Sequence, residues 1–560
     1  MKILLIAPPI EDFFFTPQRA YPLGLLYLAA SLKQAGFDVK VLNTLEGNKK
    51  FSLKTPEEFS YLKRYYRRNK SPFCLFDNYY HFGMSWAEIE EEIAGFKPSI
   101  VGISSNFSPY FDTALGVAGR VKKIDKRIPV VLGGRFPAIM PEFVLGQENV
   151  DFIIRGEAEQ SMVRLCEGAG KGILPKIDGL GYKIKNNLNI SRTSGIIRDL
   201  NSLPFPERSL IDSSRYIFKG MLSAALLTSR GCSLGCKFCA IKERFRFRRA
   251  DNVFKEIEEC YSLGIRHFNF EDDNINFNPE LGKLLDLLIA GYAGKIKISF
   301  MNGVLSRGLT KKICRKLSAA GLTHLDFSIA GAQSAPRNNA KRKTQERNIF
   351  SIAGRLAENI PSTVHFIIGL PGQRFGDCLR DIKSLAAENV MLGPSIFYPV
   401  IESGLFNELK EKFSFAESDY LFFRSSAACF DKDIGRDGIF SLVYLCRIVN
   451  FIKSLMGKFL LNSENFPIFL KEKTLNSDLS KAVLTSARVD REALGIILLV
   501  KLLREGKIFR VEETCRDKAF RYEFFEENFI TPENNFRDVL NKLVIKGLTG
   551  NTVNLRKVVF

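Results

Sequence analysis

The sequence predicts an α/β protein: an N-terminal doubly wound, Rossmann-like sheet, a central partial (β/α)6 barrel and a mainly helical C-terminal region. Three observations predict it. Strand-like apolar runs alternate with amphipathic helices through residues 1–165. Six more strand–helix repeats follow between Leu222 and Pro399, too few to close an eight-stranded barrel. Past residue 406 the chain reads as mainly helical and aromatic-rich, with Ser441–Leu461 and Arg491–Lys507 as amphipathic helices. The domains read as 1–170, a connector over 171–214, a barrel over 215–405 and a last region over 406–560.

Lys2–Ala7 is an apolar run stopped by Pro8-Pro9 and predicts the first strand. In Pro22–Asn43, Leu25, Leu28, Ala29 and Leu32 share a helical face, Gly36 stops the helix, and Val39–Leu42 is the next strand. Residues 44–98 are irregular and aromatic-rich, and read as an insertion ending in a helix over Ala87–Phe96. The alternation resumes with Ser99–Ser105, a helix from Ala114 to Ile124, Pro129–Gly134 and Asp151–Glu159. Open α/β sheets bind ligands outside the carboxyl ends of their strands. Ser104, Ser105, Asn106, Gly133 and Gly134 are therefore candidate binding residues, though ordinary tight turns have the same composition. Residues 172–200 read as a small β-rich connector, and Ile197–Asp212, with Pro204 and Pro206, as a linker.

Leu222–Thr228 predicts a buried strand that runs into Cys232, Cys236 and Cys239, spaced Cys-x3-Cys-x2-Cys. Gly231 and Gly235 let the loop turn tightly. Three thiolates this close suit a soft metal centre. Structural zinc sites and fully ligated iron–sulfur clusters take four ligands, and no fourth His or Cys stands beside the loop at metal-site spacing. A 4Fe-4S cluster held by three thiolates keeps one iron open for a substrate or cofactor. A zinc knuckle completed from afar, and three packed structural cysteines, are the other readings.

Beyond the loop, helices over Asn252–Leu263, Pro279–Ala290, Leu309–Ala320, Thr344–Ala357 and Asp377–Glu388 alternate with strands. The strands are His267–Asp272, Lys295–Met301, His324–Ala330, Val364–Gly369 and Ser395–Pro399. Barrel sites sit at the C-terminal strand ends, which here carry Glu271-Asp272-Asp273-Asn274, Asn302-Gly303, Ser328 and Phe366–Gln373. The acidic stretch also reads as a charged turn before a helix capped by Asn278. His267, His324 and His365, one per strand, read as satisfied core residues, and Cys260, Cys314 and Cys378 as packed small hydrophobes. The tail from Asn534 reads as a helix and two short strands, compatible with a winged helix. The C-terminal region reads either as a cap over the barrel mouth that contacts substrate or as structural packing.

The cysteine spacing, with Phe238 just before the last cysteine, resembles the radical S-adenosylmethionine (SAM) superfamily. The resemblance implies that Cys232, Cys236 and Cys239 hold a 4Fe-4S cluster whose open iron is chelated by the amino and carboxylate groups of SAM. Cleavage of SAM by an electron from the cluster then gives methionine and a 5′-deoxyadenosyl radical, with no catalytic residue beyond the cluster and SAM. SAM contacts are implied at Phe238, Glu271, Asp272, Asp273, Asn302, Ser328, Ile368 and Gly369. Relatives often have Gly-Gly-Glu where Glu271–Asn274 stands, Glu in place of Gln373, and Pro-Gly-Thr in place of Ile401-Glu402-Ser403.

The series PLGLLYLAA, VGISS, VVLGG and DFIIRGEAE resembles the cobalamin-binding domain that precedes many such enzymes, over most of residues 1–165. It implies cobalamin contacts at Leu23, Gly24, Ser104, Ser105, Asn106, Gly133, Gly134, Gly156 and Glu157. No Asp-x-His-x-x-Gly loop is present, so binding without a histidine lower ligand is implied. Gly133–Pro137 reads Gly-Gly-Arg-Phe-Pro where relatives have Gly-Gly-x-His-Pro. In that branch methyl transfer to an unactivated carbon is the commonest outcome, with rearrangement and oxidative cyclisation as others. A methylthiotransferase needs a second cluster from three N-terminal cysteines, and only Cys74 and Cys166 precede residue 200.

A hydrophobic content of 46% and aromatic content of 12% exclude a disordered chain. The net charge of +20 fits an acidic partner or an evenly basic surface. Basic runs stand at Leu62–Lys70, Lys242–Arg249 and Arg337–Arg347 without a nucleic-acid-binding motif, which disfavours nucleic acid. The reading of another class, a zinc-stabilised RNA-binding protein, predicts salt-sensitive RNA affinity. Eleven cysteines, three at metal-type spacing, fit a reducing cytoplasm. No signal-peptide cleavage site follows the first strand, and Leu494–Leu503, interrupted by Lys501, reads as a core helix rather than a transmembrane span. The implied partners are a small-molecule or lipid-like substrate and an external electron donor.

Overall fold

The structure, a computed structural model, describes residues 1–184, 187–305, 308–329, 360–413, 415–427, 433–458, 465–475, 491–505, 507–516 and 519–528. The expected helix over Thr344–Ala357, the basic run Arg337–Arg347 and the tail from Asn534 lie outside the described residues.

Seven strands form the first sheet: β1 (Lys2–Ala7), β2 (Asp38–Asn43), β3 (Ile100–Ser104), β4 (Val130–Gly133), β5 (Phe152–Ile154), β6 (Leu180–Ile184) and β7 (Asn187–Ile190). Their order is β7-β6-β5-β4-β3-β1-β2. The strands β1 to β5 pair in parallel, so their sequences are near-continuous apolar runs covered on both faces. Helices Leu23–Gln34 and Glu159–Gly170 bury Leu26, Leu32 and Leu165 on one face. Helices Trp86–Phe96 and Phe111–Ile124 bury Ile89, Val117 and Val121 on the other. The strand order reverses direction between β1 and β3, the place where such sheets open a ligand crevice. The expected connector adds the antiparallel hairpin β6–β7 to this sheet.

The second sheet holds β8 (Ile217–Phe218), β9 (Met221–Leu226), β10 (His267–Phe270), β11 (Lys297–Val304), β12 (Leu322–Ile329), β13 (Ser362–Ile368) and β14 (Met391–Ile396), in that order. From β9 to β14 all pairs are parallel, and β14 does not return to β9, so this is the expected partial barrel. His267 lies between Ser223 Oγ at 2.7 Å and Ser299 Oγ at 3.0 Å, stacked on Phe218. Burial pulls its pKa down to about 4. His324 meets Thr363, and His365 meets Asp326, each at 2.9 Å. The three histidines are satisfied within the sheet, as expected, and Cys260, Cys314 and Cys378 are buried.

The aromatic insertion and the C-terminal region pack together. The Tyr65 ring stands 4.3 Å from Phe440, Arg64 pairs with Asp437 at 3.0 Å, and Tyr66 donates to Ser426 O. The helix Gly435–Lys458 runs along the open side of the barrel. Asn450 accepts from Leu392 N and donates to Leu392 O, both at 2.8 Å, covering the bare edge of β14. Lys453 Nζ donates to Leu385 O, Glu388 O and Val390 O at 3.0, 2.8 and 2.7 Å. The structure thus gives this helix an edge-covering role. By length and composition it is the one helix among the described residues able to cross a membrane, which the sequence reading did not pick out; 67% of its most apolar stretch is buried inside the protein.

Part of the basic run Lys242–Arg249 is spent inside the molecule. Glu256, fully buried, accepts from Arg208 at 2.6 Å and Arg248 at 2.5 Å. Arg248 also reaches Tyr27 OH of the first helix at 3.1 Å. These buried pairs bind linker, barrel and first domain together rather than offering charge to a partner.

Candidate active site

The strand β9 ends at Leu226 and the chain turns through Thr228 and Ser229 into the cysteine loop. Asp272, 2% exposed, holds that turn: it accepts from Thr228 N at 3.1 Å, Thr228 Oγ1 at 2.8 Å and Ser229 Oγ. Gly231 has φ of +83°, and a Cβ there would stand 2.5 Å from Arg244 O, so only glycine lets the loop close. Cys232 N donates to Glu243 O at 3.3 Å, and Cys239 N to Cys236 O at 3.0 Å.

Cys232, Cys236 and Cys239 are half-buried thiols on one loop. Burial pushes the Cys239 thiol up, with the Ile241 N–H working against it; metal coordination reverses that preference because it takes thiolate. Asn274, 8% exposed, donates from Nδ2 to Cys232 Sγ at 3.1 Å. Among the described residues no three His, Cys, Asp or Glu side chains converge on a single-ion site. Three soft sulfurs on one turn, with Cys232 and Cys239 already accepting hydrogen bonds, fit a 4Fe-4S cluster.

Three neighbouring strand ends bring Glu271, Asn302 and Ser328 together. Asn302 Nδ2 donates to Glu271 O at 2.8 Å, and Ser328 Oγ to Asn302 O at 3.4 Å. Burial pushes the Glu271 carboxyl up to about 7, opposed by the charge of Arg19 and by the Asn269 amide 3.1 Å away. A carboxyl short of a counter-charge at the barrel mouth fits the ammonium of SAM. Asp273 is also pushed up by burial, with Arg135 opposing. Phe238 packs at the edge of the core beneath the first sheet.

Not every expected SAM residue joins this group. Asp272 is committed to the turn. Ile368 is buried and its carbonyl accepts from Phe397 N at 2.9 Å. Gly369 N donates to Gln373 Oε1 at 2.8 Å, as does Leu370 N at 3.0 Å. Gln373 departs from the family's glutamate because a neutral amide, 1% exposed, satisfies both groups without burying a charge.

At the edge of the first sheet, Ser104, Ser105, Asn106, Gly133 and Gly134 meet. Ser105 N donates to Gly133 O at 2.7 Å, and Asn106 Nδ2 to Ser104 Oγ at 3.2 Å. Gly134, with φ of +111°, leaves no room for a Cβ, which would stand 2.7 Å from Ser105 O. Ser105 Oγ is buried with no protein partner. That orphaned hydroxyl, at the strand-order reversal, fits a polar cofactor such as cobalamin. Phe136 turns away into the core, 4.8 Å from the Phe111 ring, and leaves the sheet edge clear.

The other cobalamin expectations fall elsewhere. Leu23 is buried against Tyr27 and Ala225, and only Gly24 beside it is exposed. Gly156 bridges Gly195. Glu157 accepts from Arg246 at 2.8 and 2.9 Å and from Ile197 N at 2.6 Å, and pairs with Arg230 at 3.3 Å. It is a clamp between sheet and barrel. The two halves also meet at Arg135, whose guanidinium stands 3.9 Å from Glu243 and whose charge bears on Cys239 and Asp273. Sequence reasoning missed Arg135, Arg19 and Asn274 as site residues; the substitution after Gly133-Gly134 and the amide ending the acidic stretch were the available signals.

Family comparisons agree with this arrangement. Residues 226–385 match the Radical SAM superfamily and residues 76–166 the B12 binding domain. The uncharacterized methyltransferase PH0819 of Pyrococcus horikoshii is 26% identical over 395 residues, 68% of this chain and 77% of that protein. Cytidylyl-2-hydroxyethylphosphonate methyltransferase of Streptomyces wedmorensis is 23% identical over 73% of this chain and 81% of its own. The cobalamin-dependent SAM radical enzyme OxsB with aqua-cobalamin bound superposes with a TM-score of 0.56 at 13% identity, covering 90% of this chain and 71% of that one. With one domain matched on each side of the Arg135 junction, the chain belongs to the radical SAM enzymes that carry a cobalamin-binding domain.

Proposed function

We propose that this enzyme transfers a methyl group to an unactivated carbon of a small-molecule or lipid-like substrate. The observation that carries the reading is the meeting of the Gly133-Gly134-Arg135 turn with the cysteine loop, 3.9 Å from Arg135 to Glu243. It sets the two cofactor-binding edges against each other. The similarity to two proteins named as methyltransferases supports the transferred group.

When bound, the cluster, SAM and cobalamin supply reductive SAM cleavage and a carrier for the methyl group. The chain's own residues hold and orient these groups. Cys232, Cys236 and Cys239 are the cluster ligands, and Asn274 fixes the Cys232 sulfur. Glu271 receives the SAM ammonium, giving up its proton as it does so, with Asn302 and Ser328 holding the adjacent polar groups. Asp273, whose carboxyl accepts from the Gly231 N–H, stands against the loop, and Phe238 is part of it. Ser104, Ser105, Asn106, Gly133 and Gly134 line the cobalamin edge, where the bare Ser105 hydroxyl finds its partner. Electrons come from an external donor, and the cysteine usage fits the cytoplasm.

The test is anaerobic reconstitution with iron, sulfide and hydroxocobalamin, followed by assay with SAM and a reductant. About four irons and near-stoichiometric corrinoid per chain, with 5′-deoxyadenosine and S-adenosylhomocysteine formed together in the presence of acceptor, are expected. Deoxyadenosine without S-adenosylhomocysteine for any acceptor would point to rearrangement or ring closure instead.

A further inference from the structure

A cavity of about 670 Å³ lies away from the cysteine loop and the strand ends. It is walled by the segment after β1, by the aromatic insertion and by the start of the helix Arg491–Glu505. Its volume is that of a small-molecule site. The apolar floor consists of Phe13, Phe15, Phe76, Tyr80 and Phe82. Phe13 is held edge-on to Tyr66 at 4.8 Å and Tyr79 at 5.1 Å, so the floor is built before any ligand arrives. Phe14 lies 56% exposed at the rim, 5.8 Å from the ring of Phe76.

The rim is cationic. It carries Lys49, Lys50, Lys70 and Arg491 against Asp77 and Glu513. Two of the cations are neutralised: Lys70 by Glu513 at 2.7 Å and Lys49 by Glu88. Lys50 has no carboxylate partner among the described residues, and its ammonium lies over the Tyr80 ring at 4.7 Å. Among the described residues Arg491 reaches Ser71 O at 3.5 Å and Cys74 Sγ at 4.0 Å, and no carboxylate. Lys50 and Arg491, without an ion pair among the described residues, outnumber the one remaining rim carboxylate, Asp77, which accepts from Tyr80 OH at 3.2 Å. Over an aromatic floor they favour a molecule with an apolar body and an oxyanion.

The cavity is tied to the barrel mouth by a short stretch of chain. Pro17 lines it. Arg19, two residues on, donates to Met301 O at 3.3 Å and bears on Glu271. The segment Pro17–Arg19 therefore runs from the cavity wall to β11.

We infer that this cavity holds the substrate, an apolar small molecule carrying one carboxylate or phosphate, with the oxyanion on Lys50 and Arg491 and the apolar body on the phenylalanine floor. The inference rests on the methyltransferase reading for the word substrate; the binding itself stands on the cavity alone.

The experiment is anaerobic titration calorimetry of the reconstituted holoprotein with decyl phosphate, decanoate and decanol, each below its aggregation limit. Decyl phosphate or decanoate is expected to bind near-stoichiometrically and about 10-fold or more tighter than decanol. The more tightly bound of the two identifies the oxyanion. Lys50→Glu and Arg491→Glu, both at exposed positions, are each expected to weaken the anion about 10-fold and leave decanol unchanged, and Phe76→Ala to weaken all three. No binding, equal affinity for decanol, or indifference to both charge reversals overturns the inference. Formation of S-adenosylhomocysteine beside deoxyadenosine in the same holoprotein separates the two claims: formed without anion binding, the pair sinks the cavity assignment alone, and deoxyadenosine without S-adenosylhomocysteine, in a holoprotein that binds no anion, sinks both.

Discussion

The amide nitrogen of Asn274 stands 3.1 Å from the sulfur of Cys232. Hydrogen bonds to a cluster's sulfur ligands stabilise its reduced, more negative state and raise its potential. Asn274→Leu is expected to lower the cluster potential by tens of millivolts and slow SAM cleavage on the order of 10-fold. Iron content should hold. A redox titration followed by electron paramagnetic resonance reads the shift directly, and an unchanged potential would make Asn274 a packing residue only.

Glu271 gives a pH dependence of known sign. Its folded pKa, raised by burial to about 7, lies above the ordinary value of 4.5. Between the two, the folded protein holds a proton that the unfolded chain has released. Stability without SAM is therefore fully present below pH 4.5 and lost as pH rises through 7, by on the order of 2 kcal/mol. Glu271→Gln is expected to flatten this slope in thermal unfolding from pH 5 to 8. It should also weaken SAM about 10-fold or more at pH 8. Calorimetry in buffers of differing ionisation enthalpy should show proton release when SAM binds at pH 6.5 and none in the variant.

Gly133 offers a way to empty the cobalamin edge. A Cβ there would have Ile154 O at 3.9 Å as its nearest neighbour, so a side chain fits without strain and projects from the sheet edge. Gly133→Val is expected to keep iron and fold while cutting corrinoid retention at least about 10-fold. Absorbance of desalted protein checks both on one sample.

Glu157 is expected to behave as a clamp. Burial raises its pKa, but Arg246, Arg230 and the Ile197 N–H more than reverse this, leaving it below the ordinary value. Its contribution is present at neutral pH and lost as pH falls through the carboxylate range. Glu157→Ala leaves Arg230 and Arg246 short of a counter-charge and should cost about 3 kcal/mol. Denaturant unfolding measures that loss, while corrinoid retained by the folded variant should match the parent.

Much of this was legible in the sequence because the physics is local. Buried parallel strands must be apolar runs, so β1, β3, β4 and β9 to β13 stand out, and the cysteine spacing requires no fold to read. The sixth barrel strand, expected over Ser395–Pro399, lies at Met391–Ile396, where Gly393 and Pro394 interrupt the apolar run. What was not legible depends on partners distant in the chain. The β6–β7 hairpin reads as a β-rich connector, but its pairing onto β5 of the first sheet depends on a strand about 30 residues away. Asn274, Arg135 and Arg19 are ordinary polar residues until folding brings Cys232, Glu243 and Met301 to them. The misplacements have the same cause: Asp272, Glu157 and Gly156 have the right residue types at strand ends, yet each is taken by a neighbour from another segment.

The bracket that Asn450 makes on Leu392 bears on how the chain is made. Until residue 450 has left the ribosome, the last barrel strand presents a bare, templating edge with the cysteine loop already synthesised. Chain termination between residues 400 and 434 therefore leaves a product prone to aggregation. Loading of iron is safest once the full C-terminal helix has docked.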